Sequence, residues 1–414
     1  MFNSDMAMRK IQYLVRRHEE WRLKKCINLI PSENVTSSAV RRILSSDLGH
    51  RYTLRKEEAP DFPMPFKNYY CGTKYIDEIE ETGRKLACEI FNAKHAFLQP
   101  LSGHISAMIM LASTCERGDR ILCISGENGG YPGYLPGFAS KYFDLKVDFL
   151  PFDKNEFNLD YEKCEEKILK LRPKLVILGA SCILFPYDVK RIKESCEKVD
   201  SYLGYDASHV LGLIAGGKFQ PNPLREGVDI LVGSTHKTFF GPQGGMILTN
   251  DDEVAGSVLR NMKLKMVDNP HLNRIAALAQ ALWEFLRFGK EYAEQVVKNA
   301  KSLGKHLEEE GVPVKYGEKG YTESHQLLVD KGEVEKKVKK KYSEVAEVLE
   351  KANIIVDRDG RIGVQEVTRF GMKEREMEEI ADLFSKVVIR ELSPVKVRQA
   401  VVKFRKRFLR IKYY

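Results

Sequence analysis

Residues 228–245 read VDILVGSTHKTFFGPQGG. This stretch indicates the fold, and the other motifs of the chain are interpreted together with it. An apolar run through Val232 is typical of a buried strand, and small hydroxyl residues lead from it to Lys237 and a glycine-rich turn. A lysine just past the end of a buried strand can lose part of its hydration, which favours the neutral, nucleophilic amine. Such an amine can form a Schiff base with an aldehyde, although a surface lysine in a loop is the common alternative.

A second strand signal lies upstream of this lysine and ends in an aspartate. The apolar run Tyr202–Tyr205 is followed by Asp206 and then by His209. Pyridoxal phosphate (PLP) is the commonest aldehyde that enzymes hold through a lysine, and it needs a carboxylate to keep its pyridine nitrogen protonated. One strand ending in aspartate and a later strand ending near lysine meet both needs, so Asp206 and Lys237 together predict this cofactor.

Around these two strands the sequence resembles the serine hydroxymethyltransferase (glycine hydroxymethyltransferase) family of PLP enzymes. The motifs that carry the resemblance follow the family's order: LIPSEN (29–34), YYCGTKYID (69–77), QPLSG (99–103), GAS (179–181), DASHVLG (206–212), THKT (235–238), GPQGG (241–245) and TRFG (368–371). The resemblance implies an α/β protein of the aminotransferase-like, PLP-dependent transferase fold (fold type I). In that fold a mixed, mostly parallel sheet is covered by helices, and a smaller α+β C-terminal domain follows.

The pattern of the chain independently indicates this organisation. Between residues 145 and 214, short apolar strands alternate with charged helical stretches, as in a parallel sheet covered by helices. A chain of 414 residues suits a large domain and a smaller one. We expect an N-terminal arm (1–60), a large PLP-binding domain (61–285), a small C-terminal domain (286–393) and a basic C-terminal tail (394–414). The sequence also predicts an amphipathic helix over Met6–Leu29 and a charged, solvated surface helix over Lys331–Leu349.

Composition excludes several classes of protein. Hydrophobic residues make up 43% and charged residues 30%, as in ordinary globular proteins, and no apolar run approaches the length of a membrane span. The N-terminus is charged where a signal peptide needs its apolar core, so we expect a cytoplasmic protein without membrane contact. Eight cysteines without a CxxC pair and nine histidines without HExxH spacing predict reduced thiols and no metal site.

The formal net charge of +9 comes mostly from the C-terminal segment, since Pro394–Tyr414 carries eight basic residues and no acidic one. Such a segment could bind nucleic acid, and the chain would then be a catalytically silent nucleic-acid-binding relative of the family. An amphipathic terminal helix packed on the body is favoured instead, and nucleic acid is not an expected partner. The apolar residues at helical spacing are Val397, Val401, Phe404, Phe408 and Ile411.

The resemblance assigns a set of cofactor-binding residues: Ser102, Gly103, His104, Tyr131, Ser181, Asp206, His209, Ser234, His236 and Lys237. The Ser102-Gly103 turn opens a helix, whose N-terminal N–H groups can bind the cofactor phosphate. Tyr131 stands where the family has the histidine that stacks on the pyridine ring. Ser181 and His209 are expected beside the ring oxygen, and Asp206 beside the ring nitrogen.

The resemblance also implies catalytic and substrate-binding residues. Catalytic roles are expected for Lys237, Asp206, His209 and Tyr52, and substrate binding for Ser32, Tyr52, Tyr70 and Arg369. An enzyme acting on amino acids needs a fork-shaped cation for the substrate carboxylate, and arginine pairs with it through two hydrogen bonds. Arg369 is the candidate and Arg361 the reserve, because the family often has its arginine at the position of Phe370. A homodimer with shared active sites is expected.

The main departure from the family is a longer, proline-rich loop after Tyr52, over residues 53–67. Leu54 stands where the family has a glutamate that handles protons in the pterin-dependent step, and Glu57 or Glu58 could substitute for it. Two enzymatic functions therefore stay open. The first is a hydroxymethyltransferase that interconverts serine and glycine with a reduced pterin, tetrahydrofolate or a relative, as one-carbon acceptor. The alternative is a pterin-independent β-hydroxy amino acid aldolase or transaldolase.

Overall fold

A computed structural model describes residues 4–220 and 222–414 and divides the chain into two compact units. The larger unit comprises Ser32–Glu294, and the smaller unit comprises Gln295–Tyr413 together with the chain up to Pro31. The boundaries of these two units differ from those of the predicted ranges 1–60, 61–285, 286–393 and 394–414. The arm, domain and tail roles given to those ranges stay predictions.

The larger unit is built on a seven-stranded sheet. Its spatial order is His95–Phe97, Gly245–Thr249, Ile230–Ser234, Tyr202–Asp206, Leu175–Leu178, Arg120–Cys123 and Lys146–Phe149. Gly245–Thr249 runs antiparallel to both of its neighbours, and the other neighbouring strands pair in parallel. The predicted mixed, mostly parallel sheet is therefore confirmed. A two-stranded ribbon, Phe152–Asp153 with Asn158–Leu159, lies outside it.

Four helices contact strands of this sheet: Lys74–Phe91, Gly103–Thr114, Val189–Glu197 and Asp252–Met262. The larger unit also contains Ser38–Leu44, Ala139–Tyr142, Tyr161–Leu171, Leu211–Ala215 and the first part of Leu272–Glu309. A π-helical turn, Lys263–Val267, follows Asp252–Met262 directly. The core packs Ile109 and Met110 of one helix and Val258 of another against strand residues such as Ile177 and Val232, all of them buried.

The smaller unit consists mainly of helices with two short sheets. Its helices are Ser4–Lys25, the end of Leu272–Glu309, Lys331–Val338, Tyr342–Lys351, Gln365–Arg369, Glu374–Val388 and Pro394–Arg405. Ile27–Asn28 pairs in parallel with Ile354–Ile355, and Gln326–Leu328 pairs antiparallel with Arg361–Gly363. The parallel pairing explains why the first residues of the chain belong to the same compact unit as the last ones.

The prediction of one solvated helix over Lys331–Leu349 is wrong. Two helices occupy this range, and Lys339 between them adopts a left-handed conformation with a φ of 56°. The second helix buries Tyr342, Val345, Ala346 and Leu349, which recur at helical spacing along one face. The high charge of the stretch concealed this apolar face.

The C-terminal segment forms the helix Pro394–Arg405, as the preferred interpretation of the tail predicts. Val397, Val401 and Phe404 are buried, and the helix packs against Ser4–Lys25 and Glu374–Val388. The other two residues of the predicted stripe, Phe408 and Ile411, lie beyond the end of the helix.

Across 4–220 and 222–414, no helix is long and apolar enough to cross a membrane. In the same residues, no three His, Cys, Asp or Glu side chains are grouped so that they could hold a metal ion. All eight cysteines are free thiols.

Candidate active site

Most of the predicted cofactor residues line one cavity in the larger unit. Its lining is Gly103, His104, Tyr131, Ala180, Ser181, Asp206, Ser208, His209, Ser234 and Lys237. Three parallel strands, Leu175–Leu178, Tyr202–Asp206 and Ile230–Ser234, end at this place. Because the carboxyl ends of parallel strands share one edge of the sheet, residues far apart in sequence meet there.

Lys237 is held by its backbone while its side chain lines the cavity. Asn34 Nδ2 donates to the carbonyl oxygen of Lys237 at 2.6 Å. The next residue, Thr238, donates from Oγ1 to the carbonyl oxygen of His209 at 2.7 Å and accepts from the Gly212 N–H at 3.1 Å. These bonds tie the lysine to the segment that follows Asp206, so the amine and the carboxylate face the same space.

Asp206 is buried, and each of its carboxylate oxygens accepts a hydrogen bond. The Tyr134 hydroxyl donates to Oδ2 at 2.9 Å, and the Ser208 N–H donates to Oδ1 at 3.0 Å. An ionised carboxylate has about four lone-pair positions, so acceptor capacity remains for a third donor. The side chain can therefore hold a protonated ring nitrogen as well as these two donors.

The helix Gly103–Thr114 points its N-terminus into the cavity. Ser102 is its N-cap, and the Ser102 hydroxyl accepts from the Ile105 N–H at 3.1 Å. A side chain at Gly103 would not fit, because its Cβ would lie 2.1 Å from Ser234 Oγ. The unbonded N–H groups of a first helical turn favour a phosphate, so this end of the helix can hold the cofactor phosphate. Ser102 serves this end as a cap and does not itself line the cavity.

Tyr131 and His104 lie side by side in the lining. The Tyr131 hydroxyl and His104 Nδ1 are 2.8 Å apart, and the two rings meet nearly edge to face at 70°. Burial, together with the negative charge of Asp206, raises the pKa of Tyr131 above its usual value. The phenol therefore stays neutral at physiological pH and offers an uncharged aromatic face.

His236 is next to Lys237 in sequence but does not line the cavity. Burial and the neighbouring Lys237 ammonium lower the pKa of His236 to about 4. Its Nδ1 has no hydrogen-bond partner among the residues that the structure describes. The imidazole is thus neutral at physiological pH.

The predicted substrate residues of the larger unit lie outside this cavity. Tyr52 and Tyr70 are exposed and pack against each other, with ring centroids 5.8 Å apart. Ser32 is partly buried in the turn before the helix Ser38–Leu44 and does not line the cavity either. Within one chain, none of these three residues lines the cavity with Lys237.

Arg369, the candidate for the substrate carboxylate, lies in the smaller unit and is fully buried. Its Nη1 donates to the main-chain carbonyl oxygen of Lys412 at 2.6 Å and to that of Tyr413. The reserve candidate Arg361 donates from Nε to Asp357 Oδ2 at 3.0 Å. Sequence motifs alone do not reveal the contact between Arg369 and the last residues of the chain.

The two glutamates of the long loop do not line the cavity beside Lys237. Glu58 is buried, bonded to Arg55 Nη2 at 3.1 Å and to Gln99 Nε2 at 2.7 Å, and lies 4.0 Å from Lys263 Nζ. Glu57 is largely exposed. Both border a separate cavity of about 430 Å³. Glu58 therefore fixes the loop to the body of the larger unit.

Three residues of the cavity region were missed from the sequence. Ala180 and Ser208 lie within the GAS and DASHVLG motifs, next to the predicted residue Ser181 and close to Asp206. Their positions in these motifs could therefore have identified them as cavity residues. Tyr134 follows a Pro-Gly pair in an irregular loop and carries no periodic signal. Its bond to Asp206 appears only in three dimensions.

Comparisons with known proteins find similarity along nearly the whole chain. Residues 4–384 match the family model described as serine hydroxymethyltransferase. The chain is 42% identical to serine hydroxymethyltransferase of Methanopyrus kandleri, over 96% of this chain and 93% of that protein. It is 41% identical to serine hydroxymethyltransferase of Methanocaldococcus jannaschii, over 96% of this chain and 94% of the relative.

Among solved structures, L-threonine transaldolase from Pseudomonas fluorescens in its internal aldimine state is similar, with a TM-score of 0.88 and 26% identity. The match covers 99% of this chain and 94% of that one. The predicted aminotransferase-like architecture of fold type I is confirmed. On the family match and these identities together, the chain belongs to the serine hydroxymethyltransferase family.

Proposed function

We propose that the protein is a PLP-dependent enzyme that interconverts serine and glycine, with a reduced pterin such as tetrahydrofolate as the one-carbon acceptor. The observation that carries the proposal is that Lys237 and Asp206 line one cavity together with the start of the helix Gly103–Thr114. Two relatives named serine hydroxymethyltransferase, each more than 40% identical, support the choice of reaction. A cytoplasmic location belongs to the same proposal and is supported by eight free thiols.

The donor set fits PLP by its chemistry. Lys237 supplies the amine for the aldehyde, Asp206 an acceptor for the ring N–H, and Ser181 and His209 polar groups for the ring oxygen. His104 also belongs to this lining and is exposed to solvent.

When bound, PLP supplies an electron sink for the negative charge left on the substrate Cα as its bond to Cβ breaks. The residues of the chain would prepare that step. Asp206 would keep a proton on the ring nitrogen, and the helix N-terminus at Gly103 would hold the phosphate. Tyr131 would offer its aromatic face to the ring and so help to orient it.

Substrate binding is proposed for Arg369, Ser32, Tyr52 and Tyr70. Arg369 can donate from Nη1 to a carboxylate only after that nitrogen gives up the carbonyl oxygens of Lys412 and Tyr413. A homodimer with shared active sites is supported by a cluster of exposed aromatic side chains, since such a patch on the surface often marks an interface. Its members are Tyr52, Phe62, Tyr69 and Tyr70.

A pterin-independent aldolase or transaldolase is the second candidate. Leu54 stands where the family has its proton-handling glutamate, and neither Glu57 nor Glu58 lines the cavity beside Lys237. Breaking the Cα–Cβ bond depends on Lys237 and Asp206 but not on that glutamate. The similarity to a solved L-threonine transaldolase favours the same alternative.

Turnover assays of the PLP-loaded protein separate the two. The hydroxymethyltransferase predicts serine cleavage that requires tetrahydrofolate, and a glycine absorbance band that strengthens strongly when the pterin is added. The aldolase predicts cleavage of a β-hydroxy amino acid at a rate indifferent to every reduced pterin. Absence of both activities, with PLP bound, would refute both proposals; Lys237→Ala is the inactive control.

A further inference from the structure

We propose that Tyr134 is a positioning residue, which holds the Asp206 carboxylate in the orientation that binds the ring nitrogen of PLP. The inference rests on the proposed function and adds a residue that the family resemblance did not assign. Its basis is the bond of 2.9 Å from the Tyr134 hydroxyl to Asp206 Oδ2. The Ser208 N–H fixes the other oxygen, so the carboxylate plane is held at two points.

Tyr134 is itself held rigidly. Its side chain is 2% exposed and belongs to the core that includes Ile121, Leu175 and Ile177. The ring of Tyr131 packs against it edge to face, with centroids 5.5 Å apart and an angle of 80°. A buried ring in contact with core residues on several sides has little freedom to turn, so its hydroxyl is a fixed reference point.

The loop that carries Tyr134 is shaped for this contact. Gly129 adopts a left-handed conformation with a φ of 86°, and a short 3₁₀ turn, Pro132–Tyr134, follows. The Tyr134 N–H donates to the carbonyl oxygen of Tyr131 at 3.2 Å. A Cβ at Gly133 would lie 2.4 Å from the Tyr131 ring, so a larger residue there would displace that ring.

The Tyr134 hydroxyl is a donor at every physiological pH. Burial and the adjacent Asp206 carboxylate raise the pKa of Tyr134 well above its usual value. A phenol that cannot ionise beside a carboxylate must donate to it, and a bond to a charged acceptor is among the stronger ones in proteins. Without this bond, only the Ser208 N–H would hold the Asp206 carboxylate. The carboxylate could then rotate, and Oδ2 could move away from the position of the ring nitrogen.

Tyr134→Phe tests the role, because it removes one oxygen atom and keeps the packed ring. Tyr205→Phe is the matched control. Tyr205 is also fully buried and directly precedes Asp206, but its hydroxyl has no hydrogen-bond partner among the described residues. The probes are PLP and 1-deazapyridoxal phosphate, in which carbon replaces the ring nitrogen. The readouts are equilibrium binding to the apoprotein and its thermal melting.

We expect Tyr134→Phe to weaken PLP binding about tenfold, leave the binding of 1-deazapyridoxal phosphate unchanged and keep the apoprotein folded. Tyr205→Phe should change neither affinity. Equal weakening of both probes, or wild-type affinity for both, would overturn the positioning role while leaving the proposed function in place. If the wild-type protein binds no PLP, the proposed function fails and this inference fails with it.

Discussion

Arg369 and Lys412 are bonded to each other in both directions. The Lys412 N–H donates to the carbonyl oxygen of Arg369 at 2.8 Å, and Arg369 Nη1 donates back to the Lys412 carbonyl oxygen at 2.6 Å. A second buried arginine secures the same segment, since Arg405 Nη1 donates to the carbonyl oxygen of Phe408 at 2.6 Å. The residue proposed for the substrate carboxylate is therefore engaged by the end of its own chain.

Removing residues 411–414 should expose Arg369 and strengthen glycine binding several-fold, because a carboxylate that binds Nη1 no longer has to displace main-chain carbonyl oxygens. The same deletion should lower the free energy of unfolding by about 1–3 kcal/mol, since a buried guanidinium loses acceptors. Glycine titration of the PLP-loaded protein and chemical denaturation measure the two effects. Lys412→Ala keeps the carbonyl and should change neither. Unchanged glycine affinity in the truncated chain would mean that Arg369 only anchors the tail.

Gly103→Ala should abolish PLP binding at micromolar concentrations, because the added Cβ lies 2.1 Å from Ser234 Oγ and forces the helix start to move. Overpacking of this kind costs about 1–3 kcal/mol of stability. Gly256→Ala is the control: it lies in the helix Asp252–Met262, and its new Cβ meets only the end of the Arg260 side chain at 3.4 Å. That variant should melt at or above the wild-type temperature. Normal PLP affinity in Gly103→Ala would contradict the phosphate site.

Tyr131→Phe should bind PLP within about twofold of wild type, whereas Tyr131→Ala should bind it about tenfold more weakly. The first change removes the hydrogen bond to His104 and keeps an aromatic face for the pyridine ring; the second removes both. Fluorescence titration of the apoprotein distinguishes the two cases. If phenylalanine is as harmful as alanine, the hydroxyl rather than the ring is what the cofactor needs.

Glu80 makes stability depend on pH. Burial, reinforced by nearby Glu58, raises the pKa of Glu80 to about 7. Because the folded pKa lies above that of an unfolded glutamate, the folded state binds the extra proton, and stability falls as pH rises from about 4.5 to 7. Glu80→Gln should therefore stabilise the protein by about 1–3 kcal/mol at pH 8 and have little effect at pH 4.5.

Thermal or chemical unfolding at several pH values checks this expectation. Glu89→Gln is the control, because Glu89 lies on the same helix, Lys74–Phe91, but is exposed. Its substitution should leave the pH profile unchanged. A Glu80→Gln variant less stable than wild type at pH 8 would show that the ion pair of Glu80 with Arg55, 3.5 Å away, outweighs its desolvation.

The sequence was most informative where local pattern and topology coincide. Lys237, Asp206 and Ser181 each follow an apolar run, and parallel strands necessarily bring such positions to one edge. Contacts made by irregular segments were not predictable, because no periodicity links Tyr134 to Asp206 or Glu58 to Gln99 and Lys263. Arg369 carries a guanidinium group that could bind a carboxylate. The TRFG motif does not show whether this group faces a ligand or the C-terminal segment, because that depends on the position of the backbone in three dimensions.

The most direct test of the account is to trap the cofactor on the protein. The purified chain is incubated with PLP, reduced with borohydride and digested, and the modified peptide is identified by mass spectrometry. We predict a pyridoxyl group on Lys237, and no specific label in Lys237→Ala. A protein that carries no label, or that carries it equally on several exposed lysines and not on Lys237, would contradict the assignment of this cavity as a PLP site.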